Sequence, residues 1–237
     1  MKLTIISGLN RAREFMDNLT ARQQMVDQQI RTWEVLDPRV LQVFSLVPRE
    51  AFVPSEYREL AFADAPIPIG FGQCMLAPKI QGRILQALGV LPIETVLEIG
   101  TGTGYLAACF SLLGSQVRSI DIFPEFTASA KSVAARAGRL RAAANAPVEF
   151  ETRDAFDGAP LGEYDAIAIT GSLPVYDARF ERSLKIGGRL FAIVGEPPVM
   201  DAVLVRRVDE SEWIRESLFE TVIDPLIHAP AARSFVF

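Results

Sequence analysis

The sequence predicts an α/β chain: a doubly wound, mostly parallel sheet with a C-terminal antiparallel hairpin and an N-terminal helical cap. Three observations lead there. After Pro92, short apolar runs alternate with helical patterns, and strands separated by helices pair in parallel through right-handed crossovers. The first such run ends in Gly100-Thr101-Gly102-Thr103-Gly104, which opens directly into a helix. Before Pro92 the apolar residues recur instead at helical spacing.

Residues 1–15 show no periodic apolar face and read as an extension, with Met16 a natural start. From Thr20 to about Trp33, Met25, Val26 and Ile30 form one buried helical stripe. Asp37-Pro38 supplies an N-cap and a first helical residue, and this second helix runs through Val40, Leu41, Val43 and Phe44 to Pro48. Residues 49–78 hold Pro54, Pro66, Pro68, Gly70, Gly72 and Pro78 and read as mostly loop. "KIQGRILQAL" resumes helix to about Leu88. Strands are expected over 95–99, 116–120, 148–151, 164–170 and 189–195, with helices near 104–113 and 124–141 and a shorter one after Pro174. "AVLVRRV" and "WIRESLFETVI", parted by Asp209-Glu210-Ser211, close the chain as a hairpin. The expected organisation is an extension (1–15), a cap with its long loop (16–92) and a ligand-binding domain (93–237) that forms one globular unit with the cap.

Composition narrows the function. A net charge of -5 over 237 residues argues against a nucleic-acid partner, because phosphate binding draws on clustered Lys and Arg. Two distant cysteines, Cys74 and Cys109, suggest neither a disulfide framework nor a zinc site. With His228 the only histidine, imidazole-based metal sites and nucleophile pairs are not expected. No run of eighteen apolar residues suggests a membrane span. A cytoplasmic monomer acting without a metal is expected.

The site is expected on "VLEIGTGTGYLAA", residues 96–108. Its glycines let the backbone approach a ligand, and the following helix offers free N–H groups. A dinucleotide fingerprint would place its third glycine at 105, where Tyr105 stands. Glu98 suits a cationic amino-acid end better than a pyrophosphate, which points to S-adenosyl-L-methionine. Asp121, twenty-one residues after Gly100, can accept from both ribose hydroxyls. Asp154 can accept from the adenine amino group, with Ala155 and Phe156 beside the base. Thr101, Ile122 and Thr170 complete the candidate donor-binding set with Gly100, Gly102 and Gly104.

The chain resembles the protein-L-isoaspartate O-methyltransferases from about Met25 to Gly195, and more loosely to Phe237. The resemblance rests on "MVDQQI", "VPREAFVP", "AFADAPIPIGFGQ", "VLEIGTGTGYLAA", "YDAIAIT" and "LKIGGRLFAIVG". It implies a Rossmann-like methyltransferase sheet and a cytosolic repair enzyme that methylates isoaspartyl residues of damaged proteins. It places Asp64, Ile69 and Gln73 in the substrate-side loop and the donor on the residues named above. Members of that family usually read Gly-Gln-Thr-Ile-Ser-x-Pro where this chain reads "GQCMLAP", so Cys74 and Leu76 occupy two acceptor-site positions that ordinarily carry hydroxyls. Gly171-Ser172 replaces a usual Ala-Ala pair, which suggests a substrate-facing hydroxyl on Ser172 across the cleft. Two other readings remain: a protein of this fold that binds the donor with another acceptor or none, and a nicotinamide-dependent oxidoreductase, disfavoured by Tyr105 and Glu98.

Overall fold

The computed structural model describes residues 16–114, 116–136 and 147–231. Residues 16–25 are α-helical (α1), continuing through a π turn at Val26–Ile30 and a 3-10 turn at Arg31–Trp33. The expected stripe is inside: Met25, Val26 and Ile30 are buried. Helix α2 (Pro38–Leu46) starts as predicted, with the Asp37 carboxylate accepting from the Arg39 N–H at 2.8 Å. The stretch predicted as mostly loop holds 3-10 turns at Arg49–Ala51 and Ser55–Leu60 and an antiparallel hairpin, β1 (Ile67–Gly70) with β2 (Gln73–Met75). Pro68 is tolerated there because this two-stranded sheet leaves both strands with an open edge. Helix α3 (Pro78–Leu88) follows, closed by Gly89 in the left-handed region.

Strand β3 (Thr95–Ile99), helix α4 (Tyr105–Leu112), β4 (Gln116–Asp121), α5 (Pro124–Arg136), β5 (Val148–Thr152), β6 (Tyr164–Leu173), the short α6 (Ala178–Arg182), β7 (Leu184–Glu196), β8 (Val199–Asp209) and β9 (Glu212–Thr221) complete the order. The seven-stranded sheet runs β5-β4-β3-β6-β7-β8-β9. Pairs from β5 to β7 are parallel, and β8 and β9 add antiparallel. β6 and β7 are longer than predicted because their mutual ladder continues through bulges at Tyr164/Ala166 and Ala168/Ser172. The end of the predicted 124–141 helix and the 1–15 extension lie outside the described residues.

Alternation along the strands divides the core. Val96, Ala166, Ala168 and Phe191 pack with α4 and with cap residues such as Phe44 and Ile84. Leu97, Ile99, Ile167 and Ile169 face the other way, with Phe180 of α6. The cap therefore shares one hydrophobic cluster with the sheet. The later part of its loop, residues 64–77, lies beside the carboxyl ends of the strands. Among the described residues no helix is long and apolar enough to cross a membrane.

Candidate active site

A cavity of about 750 Å³ opens where the strand order reverses around β3, at the carboxyl ends of β3 to β6. Open α/β sheets bind ligands at such switch points. Its walls come from the glycine loop, the residues after β4 and β5, the bulge of β6, the β1–β2 hairpin and the segment after β9.

On the glycine-loop side, Gly100 and Gly102 line the cavity with φ of 99° and 49°. A Cβ at Gly102 would sit 3.2 Å from the Ile69 side chain, so the hairpin packs directly on the loop. A Cβ at Gly100 would strike the Thr170 hydroxyl, which donates to the Ile99 and Gly100 carbonyls at 3.0 and 2.8 Å. Thr170 thus clasps the loop to β6. Asp121, nearly buried, accepts from the Gly102 N–H at 2.9 Å and the Phe123 N–H at 3.0 Å. Burial raises its pKa, against those backbone bonds. Ile122, Asp154 and Ala155 line the same wall. Asp154 accepts from the Phe156 N–H at 2.8 Å, and its other oxygen meets Nδ1 of His228 at 2.7 Å. The only histidine of the sequence therefore does reach the site, from the C-terminal segment.

Three expected donor residues are placed differently. Thr101 is buried and its hydroxyl is used inward: Ser119 donates to Glu98 at 2.5 Å, so Thr101 donates to Ser119 at 2.7 Å. Gly104 caps α4 at φ 80°, and its missing side chain makes room for Ala130 of α5, 2.7 Å from where a Cβ would sit. Glu98 is 1% exposed and faces a second, small cavity of about 40 Å³ between the glycine loop and the lip, shared with Cys74, Leu76, Gly100 and Gly102. Burial pushes its pKa up to about 8, the Ser119 hydroxyl opposing and the Asp121 charge adding.

On the loop side, Asp64, Ile69, Gln73, Cys74 and Leu76 all line the large cavity. Asp64 is paired with Lys79 at 2.8 Å. Cys74 is half-buried, and burial followed by the nearby Asp224 carboxylate raises its thiol pKa, so it stays protonated at neutral pH. Ser172 also lines the cavity, but its hydroxyl is turned to the chain behind it. It is fully buried, and its hydroxyl donates to the Ile223 carbonyl at 3.3 Å. Gly171 serves the same join, since a Cβ there would lie 2.8 Å from Leu226.

Comparisons with known proteins agree with this layout. Residues 20–229 match the family described as Protein-L-isoaspartate(D-aspartate) O-methyltransferase. The chain belongs to the protein-L-isoaspartate O-methyltransferase family. A protein-L-isoaspartate O-methyltransferase of a Synechococcus strain is 34% identical over 213 residues, covering 87% of this chain and 85% of the relative. One from Rhodopseudomonas palustris is 35% identical over 207 residues, 86% and 92% of the two chains. Among solved structures, one from Plasmodium falciparum, described as such a methyltransferase in complex with S-adenosyl-L-homocysteine, superposes with a TM-score of 0.73 at 17% identity over 86% of this chain and 97% of that one. A second structure of that description gives 0.73 at 22% identity, over 89% and 67%. At those identities the superpositions establish the fold.

In this member of the methyltransferase family, residues 222–227 form a cavity wall, although the sequence pattern ends a strand at Ile223 and assigns 224–227 no part in the site. Ser172 N–H donates to the Asp224 carbonyl at 2.9 Å, and Leu226 N–H donates to the Ser172 carbonyl at 3.0 Å. The available signal was Asp224-Pro225, which directly follows "WIRESLFETVI" and ends the strand there. The Phe71 ring, at the hairpin tip with φ 53°, stacks on Phe123 at 4.6 Å and was also not foreseen.

Proposed function

We propose that this member of the family is an S-adenosylmethionine-dependent enzyme that methylates the free carboxylate of isoaspartyl residues in damaged proteins. The observation that carries this reading is that the glycine loop with Asp121 and Asp154 and the lip from Gln73 to Leu76 wall the same cavity. When bound, the donor supplies an electrophilic methyl group on a sulfonium.

The chain's own groups fit such a donor. Asp121 keeps lone pairs free for ribose hydroxyls after binding two backbone N–H groups, and Asp154 keeps acceptor capacity for an exocyclic amine beside Ala155 and Ile122. Glu98, on the small cavity between loop and lip, answers a cationic end. Gly104 holds the loop in shape, Thr170 both clasps the loop and lines the cavity, and Thr101 contributes through its backbone and through the chain to Glu98.

An ionised carboxylate is already a competent nucleophile, so no general base is required. The lip must hold the acceptor oxygen about 3 Å from the methyl carbon and in line with the bond to sulfur. Leu76 and Cys74 keep that side poor in strong donors, which lowers the grip on an anion. Asp64 and Lys79, paired at the mouth, and Gln73 and Ile69 are the substrate-side contacts in this reading. The enzyme acts as a cytoplasmic monomer, with cap and donor-binding domain working as one unit.

Calorimetric titration with S-adenosylmethionine, followed by methyl transfer to a synthetic isoaspartyl peptide, tests the function. Binding with turnover is expected. Binding without turnover on any isoaspartyl peptide would leave a donor-binding protein with another acceptor.

A further inference from the structure

We propose that Arg49 is a positioning residue for methyl transfer, which holds the Leu76–Ala77 peptide so that the Ala77 N–H faces the acceptor carboxylate. This rests on the acceptor assigned above and deepens it.

Arg49 lies in "VPREAFVP", far from the cavity in sequence, and is 0% exposed. Its Nε donates to the Ala61 carbonyl at 2.8 Å, one Nη to the Gln81 side-chain oxygen, and the other Nη to the Leu76 carbonyl at 2.8 Å. The guanidinium lies over the Tyr105 ring at 5.0 Å. Among the described residues it has no carboxylate partner within salt-bridge distance. A buried cation without a counter-ion is costly, and here neutral oxygens from three separate segments answer it. The planar fork can span all three; an ammonium cannot.

The consequence reaches the cavity through one peptide. The Leu76–Ala77 bond is trans, so its N–H points opposite to its C=O. With the carbonyl drawn inward by Arg49, the Ala77 N–H is turned away from the core. Ala77 lines the large cavity, is 7% exposed, and its N–H finds no acceptor among the described residues. Buried backbone donors are rarely left so, and an acceptor carboxylate would satisfy this one. The position also answers the chemistry of the lip. Cys74 and Leu76 offer an acceptor one weak donor and none, and the backbone beside them supplies another.

Two variants separate this role from simple packing. Ala77 has φ -57° and ψ 148°, which proline adopts without strain, so Ala77→Pro deletes the N–H while leaving the Leu76 carbonyl on Arg49. Arg49→Lys keeps the charge but loses the fork. The carboxylate loses charge as it bonds the methyl, so the lost contact should appear mainly in KM for the peptide. In both variants that KM should rise roughly 10- to 100-fold, as expected for one hydrogen bond to a charged group. Binding of S-adenosylhomocysteine and the kcat should move little. Ala77→Pro that turns over the peptide like the parent, or variants that lose donor binding in step with peptide turnover, would overturn the assignment. If the parent itself does not methylate the peptide, the proposed function fails, and amide hydrogen exchange decides Arg49 alone. Faster exchange across residues 73–77 in Arg49→Lys, with residues 95–104 unchanged, keeps its role on the lip; unchanged exchange across 73–77 removes it.

Discussion

At the scale of single residues, the lip and the glycine loop carry opposite debts to water. Cys74 and Leu76 leave the lip poor in donors, and both line the cavity. Cys74→Thr with Leu76→Ser should therefore raise kcat/KM for an isoaspartyl peptide by roughly tenfold or more, since one hydrogen bond to a charged group is worth about 1.5 to 3 kcal/mol. Donor affinity should stay as it is; a double variant no faster than its parent would show that the lip is not limiting. Glu98 is the converse case, a carboxyl whose pKa burial pushes up from 4.5 to about 8. Between those values the unfolded chain has lost this proton and the folded chain has kept it, so the group makes stability fall as pH rises from 4.5 to 8 and adds no slope beyond. Asp121, also raised by burial, slopes the same way at its own lower range. If a donor ammonium ionises Glu98, binding releases a proton below pH 8 and tightens as pH rises toward that value. Glu98→Gln should flatten both slopes, in urea unfolding across pH and in S-adenosylhomocysteine calorimetry in two buffers of different ionisation heat. Parallel slopes in parent and variant would place the titration elsewhere.

At the scale of elements, what could be read from sequence was what local pattern alone decides. The glycine loop, the parallel strands and the Asp37-Pro38 helix start all follow from spacing, and each appears within a few residues of its expected place. The β1–β2 hairpin did not show, because Pro66, Pro68, Gly70 and Gly72 suppress any strand signal. It forms through an open-edged two-stranded pairing and its packing on Gly102. Gly104 illustrates a second kind of illegibility. A glycine in such a loop reads as a ligand contact, yet this one is required by the approach of α5 to α4, a tertiary fact. Gly104→Ala combines a φ of 80° with a Cβ 2.7 Å from that of Ala130. It should destabilise the fold by about 1 to 3 kcal/mol, seen as a lower urea midpoint. A midpoint unchanged from the parent would mean that α5 yields freely at this contact.

At the scale of the whole molecule, the cavity is closed by parts that meet only in the folded chain: the glycine loop, the cap's lip and the segment after β9. That segment was not legible as a wall because its partners, Gly171, Ser172 and Asp154, stand some 50 to 75 residues earlier. It is joined to β6 by reciprocal backbone hydrogen bonds through Ser172 and to the wall after β5 by His228 on Asp154. The His228 side chain is 62% exposed, and so exposed a polar contact contributes under about 1 kcal/mol. His228→Ala alone should therefore change affinity for the donor's product only slightly. Ending the chain at Thr221 is a larger change, since it removes Ile223, Leu226 and Ile227 from the cavity wall together with the bonds to Ser172, while β9 keeps its full ladder on β8. The shortened protein should retain its sheet by circular dichroism. It should bind S-adenosylhomocysteine roughly tenfold or more weakly, a loss equal to about one well-made hydrogen bond or less apolar cover than a single buried side chain. Affinity equal to that of the full chain would mean that the glycine loop, Asp121 and Asp154 hold the donor unaided, and would confine the segment to the acceptor side.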